Sequence, residues 1–252
     1  MGHVGSNRGA LAVCACETAA VVVSRRLGIA YGSGVKLRYR HLVFDLDGTL
    51  IDSRRDLAAS VNHVLGSLDL PELPLETVCA YVGAGARALV QRSLGEEHRD
   101  LLDQALGLFL SYYGEHLLDH TRPYPGIVES LAALADRSAA LSVLTNKPEA
   151  MSRAILDGLG LLERFAAVLG GDSCPSRKPD PAGIERLLAL TEMPPEQALL
   201  VGDSLIDLRT AAGAGVDFCG VAWGLAPDEI RARDARMIED PKELLRIAEQ
   251  GW

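Results

Sequence analysis

The most constraining feature of the chain is a pair of aspartates at the end of an apolar run. Residues 41–51 read HLVFDLDGTLI, in which a candidate strand ends in Asp45 and Asp47, with Gly48 and Thr49 directly after them. An unpaired carboxylate at the end of a buried strand is strongly destabilising. The pair therefore implies a compensating cation, a proton or chemistry at this point of the fold.

The composition is that of a globular protein with an acidic body. With 252 residues, of which 48% are apolar, the chain is long enough for one large domain or for a core with a smaller inserted domain. Its formal net charge is −9, but residues 1–40 hold six basic side chains and one acidic one, so residues 41–252 carry −14. This charge argues against nucleic acid as a partner, and an acidic body that handles anions needs a metal or local positive charge.

Cysteine usage and hydropathy bear on the location. The five cysteines are scattered and include no CxxC pair, which favours a reducing cytoplasm over a disulfide framework or a zinc site. No apolar run approaches the ~20 residues that cross a bilayer, so we expect no membrane partner. Residues 1–40 carry only weak versions of a signal peptide, a transit peptide and a myristoylation site. We predict an ill-ordered N-terminal extension, or a start codon placed too far upstream.

Beyond residue 40, short apolar runs alternate with helical segments, which is the pattern of a parallel sheet wound with helices. Several of these runs end in polar residues, and open α/β sheets bind ligands beyond the carboxyl ends of their strands. We therefore predict an α/β fold with a Rossmann-like three-layer α/β/α core and a site at that edge of the sheet. The predicted strands are Leu42–Leu46, Ala140–Thr145, Ala166–Leu169, Ala198–Val201 and Phe218–Ala222, with a weaker one near Met237.

A long helical stretch interrupts the alternation. Residues 56–122 show helical periodicity and no confident strand. An insertion of this length is too long for a loop, and the turn-rich RPYPG segment of residues 122–126 closes it. We predict a core domain of residues 41–55 and 123–252, and a small all-helical cap domain of residues 56–122.

Four short motifs follow one another along the chain and together carry a family resemblance. They are FDLDGTL with Asp45 and Asp47, LTNKP with Thr145, SRKPDP with Lys178, and VGDSLID with Asp203 and Asp207. Together they resemble the motifs of the haloacid dehalogenase superfamily of phosphatases, from about residue 41 to the C-terminus. A lone DxD is common, whereas four motifs in order at strand ends are specific. The resemblance implies a phosphatase whose helical insert is a lid of the C1 type.

Phosphoryl transfer gives each of the first two aspartates a role. Asp45 is predicted to attack phosphorus and form an aspartyl-phosphate, which splits hydrolysis into two easier displacements. Asp47 lies two residues along an extended chain, and so on the same side, and is predicted to protonate the leaving oxygen and later deprotonate the water. That role requires Asp47 to arrive protonated, a form that a neighbouring carboxylate favours. Gly48 and Thr49 allow the sharp departure from the strand that exposes both acids, and both residues are predicted to contact the substrate.

A metal is predicted because a phosphate dianion that approaches several carboxylates is repelled. The predicted cofactor is Mg²⁺, which takes oxygens from Asp45, from Asp203 and, as the resemblance implies, from the backbone carbonyl of Asp47. Asp207, one helical turn beyond Asp203, is predicted to orient a water on the metal. The alternative for Asp207 is a helix cap, since aspartate is common at helix starts.

Three further residues are predicted to hold the transferring oxygens. Thr145 and the backbone of Asn146 are expected to hydrogen-bond them, and Lys178 to neutralise their charge and that of Asp45. Taken singly, Thr145 is an ordinary strand residue and Lys178 a surface charge. Their place in an ordered set of four motifs is what favours the functional interpretation.

The segment VGAGARA, residues 82–88, matches a dinucleotide-binding fingerprint, but the chain continues as helix where a second strand should follow, and we reject that interpretation. The segment instead resembles a glycine-containing cap segment of bacterial phosphoglycolate phosphatases, which lies over the active site. Gly83 and Gly85 are predicted to let the backbone approach the substrate, and Arg87 or Arg92 to contact a carboxylate. The alternative for either arginine is an exposed helix position.

Within the capped group, the quoted segments are most similar to the phosphoglycolate phosphatases. The resemblance predicts hydrolysis of a small phosphorylated metabolite, 2-phosphoglycolate, to glycolate and phosphate. We expect a monomer or a homodimer. Sugar phosphates, muramate phosphates and pyrophosphate stay open as substrates. A phosphoglucomutase-like enzyme and a non-catalytic binding protein on the same scaffold are further alternatives. Ala84 and Trp223 depart from the residues common in these relatives, which bears on specificity.

Overall fold

The structure, a computed structural model, describes residues 37–252. Six of its strands form one parallel sheet in the order β5-β4-β1-β6-β7-β8, and the other two form a short antiparallel ribbon, so the predicted α/β class and parallel sheet are confirmed. The strands are β1 (His41–Phe44), β2 (Ile51–Asp52), β3 (Arg122–Pro123), β4 (Ala140–Leu144), β5 (Ala167–Leu169), β6 (Ala198–Gly202), β7 (Asp217–Val221) and β8 (Met237–Ile238).

Helices cover both faces of the sheet. The side chains of β1 alternate between two apolar clusters, with Leu42 and Phe44 in one and Val43 in the other, as the pleat of a strand requires. The first cluster takes side chains from α5, α6 and α10, and the second from α7 and α8, which gives three layers. Their bounds are α5 (Ile127–Asp136), α6 (Glu149–Gly158), α7 (Ala182–Thr191), α8 (Leu205–Ala214), α9 (Pro227–Arg231) and α10 (Glu243–Gln250).

A helical insert separates β2 from β3 and has its own apolar cluster. It consists of α1 (Arg54–Ser67), α2 (Leu75–Cys79), α3 (Ala86–Leu94) and α4 (Leu102–Glu115). The β2–β3 ribbon, which sequence periodicity did not indicate, pairs the chain where it enters and leaves the insert. Beside it the buried carboxylate of Asp56 accepts hydrogen bonds from the backbone of His120 and Thr121 and from the Thr121 hydroxyl, at 2.7 to 3.1 Å. No helix among residues 37–252 is long and apolar enough to span a membrane.

Residues 37–40 correct one predicted boundary. They were assigned to an ill-ordered extension, but Leu37 and Tyr39 are buried in the core cluster of the sheet. The backbone amides of Arg38 and Tyr39 donate to the carbonyl of Ala248, at 2.7 and 3.0 Å. The prediction was wrong here because Leu37 and Tyr39 alternate with arginines and supply apolar side chains to the core. The remainder of the predicted extension, residues 1–36, lies outside the described residues.

A buried histidine at the start of β1 predicts acid sensitivity. The ring nitrogens of His41 lie 2.9 Å from the Ser142 hydroxyl and 3.1 Å from the Thr191 hydroxyl. Burial lowers the pKa of His41 to about 4 from its ordinary 6.5. Between pH 6.5 and 4, His41 is therefore protonated in the unfolded chain and neutral in the folded chain. The free energy of unfolding falls as the pH drops through this interval, by up to about 3 kcal/mol.

Urea unfolding of the parent and of His41→Gln at about pH 7.5 and about pH 4.5 measures this loss. We expect the parent to lose more free energy of unfolding than the variant between the two pH values, because glutamine does not titrate. An equal loss in both proteins would show that His41 is not responsible.

Candidate active site

The four motifs meet at one edge of the sheet because β1 lies between β4 and β6. Phe44, the last residue of β1, is in register with Val143 of β4 and Val201 of β6. Residues that follow these parallel strands must therefore share the same edge. The residues brought there are Asp45 after β1, Thr145 after β4 and Asp203 after β6, and the loop between β5 and α7 adds Lys178.

Three carboxylates form a buried cluster at this edge. Asp45, Asp203 and Asp207 each offer an oxygen within 4.8 Å of the others, and none is more than 6% exposed. The Lys178 ammonium lies 2.8 Å from Asp45 Oδ1 and 2.6 Å from Asp207 Oδ1. Three acids against one ammonium leave an excess of negative charge, and hard carboxylate oxygens are the ligands that Mg²⁺ prefers. The donor set and its charge fit a divalent cation.

Burial dominates the electrostatics of this cluster. It raises the pKa of Asp45 to about 6, against the lowering effect of the Lys178 ammonium. It also raises the pKa of Asp203 well above its ordinary value, with the charges of Asp45 and Asp207 adding to the effect. Burial lowers the pKa of Lys178, but Asp207 and Asp45 outweigh it, so that pKa rises. A cation among these carboxylates would favour their ionised forms, and a nucleophilic Asp45 needs to be ionised.

The side chain of Asp47 lies apart from the three clustered carboxylates. Its two oxygens form an ion pair with Lys147, whose Nζ lies 2.9 and 2.8 Å away, and the Ser53 hydroxyl donates to Oδ1 at 2.5 Å. The Lys147 ammonium also donates to the hydroxyl of Tyr113, on α4, at 2.8 Å. Sequence reasoning missed Lys147. The available signal was its position in LTNKP, directly after Asn146 at the carboxyl edge of the sheet.

The turn after β1, which contains Gly48 and Thr49, packs against Asp203 of the carboxylate cluster. Gly48 has a φ of +83°, and a Cβ at this position would lie 2.2 Å from Asp203 Oδ2, so both the backbone conformation and the space require glycine. The Thr49 hydroxyl lies 3.5 Å from Asp203 Oδ1. The structure thus places Gly48 and Thr49 against Asp203, whereas the sequence predicted that they contact substrate.

A cavity lies between this edge of the sheet and the helical insert. It is lined by Asp45, Asp47, Thr145, Asn146 and Lys147 on one side and by Gly83, Gly85 and Tyr113 of the insert on the other, among other residues. The Asn146 side-chain amide donates to the backbone carbonyls of Gly83 and Lys178, at 2.9 and 3.0 Å. Residues predicted from two motifs, FDLDGTL and LTNKP, and from the glycine segment of the insert are therefore brought together around one cavity.

The two arginines predicted to contact a substrate carboxylate are not at this cavity. Arg87 forms an exposed ion pair with Asp103 at 2.9 Å, and Arg92 reaches the backbone carbonyl of Tyr81 at 3.4 Å. Both lie on the exposed face of α3, since its other face packs Leu89 and neighbouring apolar residues into the cluster of the insert. The structure therefore places neither arginine at the cavity, and both occupy exposed helix positions.

Comparison with known families decides the class of the protein. A family model for haloacid dehalogenase-like hydrolases matches residues 42–221. The chain belongs to this hydrolase family. The superfamily inferred from the four motifs is confirmed, and the match spans the sheet from β1 to β7 together with the helical insert.

Similar proteins place this hydrolase near one kind of phosphatase. A phosphoglycolate phosphatase of Mesorhizobium japonicum is 36% identical over 220 residues, which cover 82% of this chain and 97% of the relative. One of Pseudomonas putida is 42% identical over 192 residues, covering 73% and 70%. The crystal structure of a predicted phosphoglycolate phosphatase of Haemophilus somnus has a TM-score of 0.76 and 33% identity, covering 86% and 99%. The predicted similarity to phosphoglycolate phosphatases is confirmed, and with it the class of enzyme, a phosphatase.

Within this hydrolase, Asp207 is the helix cap that the sequence offered as an alternative, and it also belongs to the carboxylate cluster. Its Oδ2 accepts hydrogen bonds from the backbone and hydroxyl of Ser204, whose hydroxyl caps α8 in return. Its Oδ1 meets Lys178 at 2.6 Å. Because the capping box fixes the rotamer of Asp207, Lys178 is held against Asp45, and the cap is at the same time a member of the carboxylate cluster.

Proposed function

We propose that this hydrolase is a Mg²⁺-dependent phosphatase that converts 2-phosphoglycolate and water to glycolate and phosphate through an aspartyl-phosphate on Asp45. The observation that carries the proposal is that Asp45 belongs to the carboxylate cluster and also lines, together with Asp47, the cavity below the insert. The names of the similar proteins support the choice of substrate.

The surroundings of Asp45 suit a nucleophile. Its Oδ1 receives both the Lys178 ammonium, at 2.8 Å, and the backbone amide of Leu46, at 2.7 Å. These contacts fix the rotation of the carboxylate and leave Oδ2 without a hydrogen-bond donor among residues 37–252. We assign Oδ2 as the oxygen that attacks phosphorus in line with the leaving oxygen.

The remaining steps fall to neighbouring side chains. Asp47, next to Ser53 and Lys147, is assigned the proton transfers: its protonated form gives a proton to the leaving oxygen of glycolate, and the resulting carboxylate, paired with Lys147, takes one from the water that cleaves the aspartyl-phosphate. Thr145 and the backbone of Asn146 bind the phosphoryl oxygens. Mg²⁺ held by the carboxylate cluster and, as the family resemblance implies, by the backbone carbonyl of Asp47 would supply positive charge at those oxygens.

The helical insert limits the substrate to a small molecule. Gly83, Gly85 and Tyr113 line the cavity opposite the carboxylates, and Asn146 is hydrogen-bonded to Gly83 across it. A lid of this kind excludes water from the reacting atoms and leaves no room for a macromolecule. We propose that residues 41–55 and 123–252 form a core domain and that residues 56–122 form a cap domain. The cytoplasmic location and the monomeric or homodimeric state stay predictions from the sequence.

A panel of small phosphate esters tests the proposed substrate. With Mg²⁺ present, we expect kcat/KM for 2-phosphoglycolate to exceed that for sugar phosphates, muramate phosphate and pyrophosphate by about ten-fold or more, because a site built for one polar group rejects substrates that lack it. Faster turnover of several sugar phosphates would overturn the substrate assignment and leave the chemistry intact. Failure to release phosphate from every compound would overturn the phosphatase proposal itself.

A further inference from the structure

A substrate that carries a carboxylate beside its phosphate brings a second anion into the cavity. Lys178 cannot bind both the phosphate and the carboxylate of the substrate. Its ammonium already forms ion pairs with Asp45 and Asp207, where the phosphoryl group is transferred. Arg87 and Arg92 lie outside the cavity. Among residues 37–252, Lys147 is the only cationic side chain that lines it. The proposed function therefore requires a cation that binds the substrate carboxylate, and Lys147 is in a position to be that cation.

Lys147 lies at the end of the site where that carboxylate must be. Its ammonium is within 2.9 Å of both oxygens of Asp47, the residue assigned to the leaving oxygen. In 2-phosphoglycolate the carboxylate is joined to the leaving oxygen through a single methylene group. A substrate whose leaving oxygen is hydrogen-bonded to Asp47 thus brings its carboxylate next to Lys147. The Lys147 side chain is only 5% exposed, so water screens this charge weakly.

Tyr113 completes a receptor for an anion. Its hydroxyl accepts a hydrogen bond from Lys147, and its own proton has no acceptor within hydrogen-bond distance in the described part of the chain. Burial raises the pKa of Tyr113 to about 12, so the phenol keeps that proton. The ammonium also lies 4.7 Å from the centre of the Tyr113 ring, which holds it in place from the insert side.

We propose that Lys147 and Tyr113 bind the carboxylate of the substrate and thereby determine its specificity. The inference rests on the proposed function and adds the residues that select the substrate. Because Lys147 follows β4 and Tyr113 belongs to the insert, the receptor is complete only when both parts of the structure face the cavity. Phosphate esters of neutral alcohols lack the group that it recognises.

The test compares two substrates on one variant. Ethyl phosphate has a methyl group where 2-phosphoglycolate has its carboxylate. For Lys147→Met we expect kcat/KM for 2-phosphoglycolate to fall about 100-fold more than kcat/KM for ethyl phosphate, because loss of the ion pair with Asp47 lowers both values and loss of the carboxylate contact lowers only the first. The matched control is Lys242→Met, which makes the same change at an exposed lysine and should alter neither value.

Tyr113→Phe is the second variant, because it removes one hydroxyl and keeps the ion pair between Lys147 and Asp47. It should lower kcat/KM for 2-phosphoglycolate by about five-fold more than kcat/KM for ethyl phosphate. Equal losses on the two substrates would overturn the inference, since Lys147 would then act only through Asp47. Unchanged selectivity in both variants would overturn it as well.

The same measurements separate this inference from the proposed function. If the parent protein does not prefer 2-phosphoglycolate to ethyl phosphate, the proposed function fails and the inference fails with it. If the parent is selective and Lys147→Met keeps that selectivity, only the inference fails. If Lys147→Met does not fold, the selectivity of Tyr113→Phe alone decides, because that variant leaves every charge in place.

Discussion

Asp45→Asn is expected to lower kcat for 2-phosphoglycolate by about 10⁴-fold or more, because an amide is too weak a nucleophile to displace the leaving oxygen and form the phosphoryl-enzyme intermediate. The change keeps the size of the side chain, so the loss reports on chemistry and not on packing. Release of phosphate in the presence of Mg²⁺ measures it. Asp228→Asn is the matched control, since the Asp228 side chain is 94% exposed, and it should retain the activity of the parent.

The stability of Asp45→Asn, unlike its activity, is not expected to fall. The pKa of Asp45 is raised from 3.8 to about 6 by burial, so the stability that its neutral form contributes is lost as pH rises through this interval. Asparagine is neutral at every pH. Without metal at about pH 8, Asp45→Asn should therefore unfold at a temperature no lower than the parent does. A variant that is both inactive and strongly destabilised would contradict a purely catalytic role for this carboxylate.

Removal of Mg²⁺ is the second change with a large expected effect. A chelator should lower phosphatase activity by about 10³-fold or more, and added Mg²⁺ should restore it, because three buried carboxylates repel a phosphate dianion. Asp203→Asn should raise the Mg²⁺ concentration for half-maximal activity by at least about ten-fold. The Asp203 side chain is well positioned for this role, since its Oδ2 accepts the Leu225 amide at 2.7 Å.

Binding of the metal can be measured without turnover. A ligand that binds only the folded state raises the unfolding temperature. We expect Mg²⁺ to raise it for the parent and to have a smaller effect on Asp203→Asn. Activity that survives chelation, or a variant that binds Mg²⁺ as tightly as the parent, would contradict the assignment of the carboxylate cluster as the metal site.

The parts of the fold and the site that could be predicted are those that local sequence determines. The six strands of the main sheet were recognised because each is a short apolar run closed by a turn, as in residues 198–202. The residues that end β1, β4 and β6 must share an edge once the sheet is parallel. The shared edge of Asp45, Thr145 and Asp203 therefore followed from strand assignment, whereas their joint role in one site came from the family resemblance of the four motifs.

The parts that could not be predicted depend on how the helical insert meets the sheet. Tyr113 and Lys147 are 34 positions apart and come together only because α4 packs over the cavity. Arg87 and Arg92 are plausible ligands in the sequence, but the apolar face of α3 turns them outwards. The short β2–β3 ribbon was also missed, because two-residue strands carry no periodicity.

The central claim is that Asp45 becomes phosphorylated during turnover, and the stereochemical course at phosphorus tests it most directly. Each in-line displacement inverts the configuration of the transferred phosphoryl group. With a substrate whose phosphorus is made chiral by oxygen isotopes, transfer to Asp45 and then to an acceptor alcohol or water should give retention of configuration, since two displacements occur. Inversion would show a single direct displacement by the acceptor and would contradict the account.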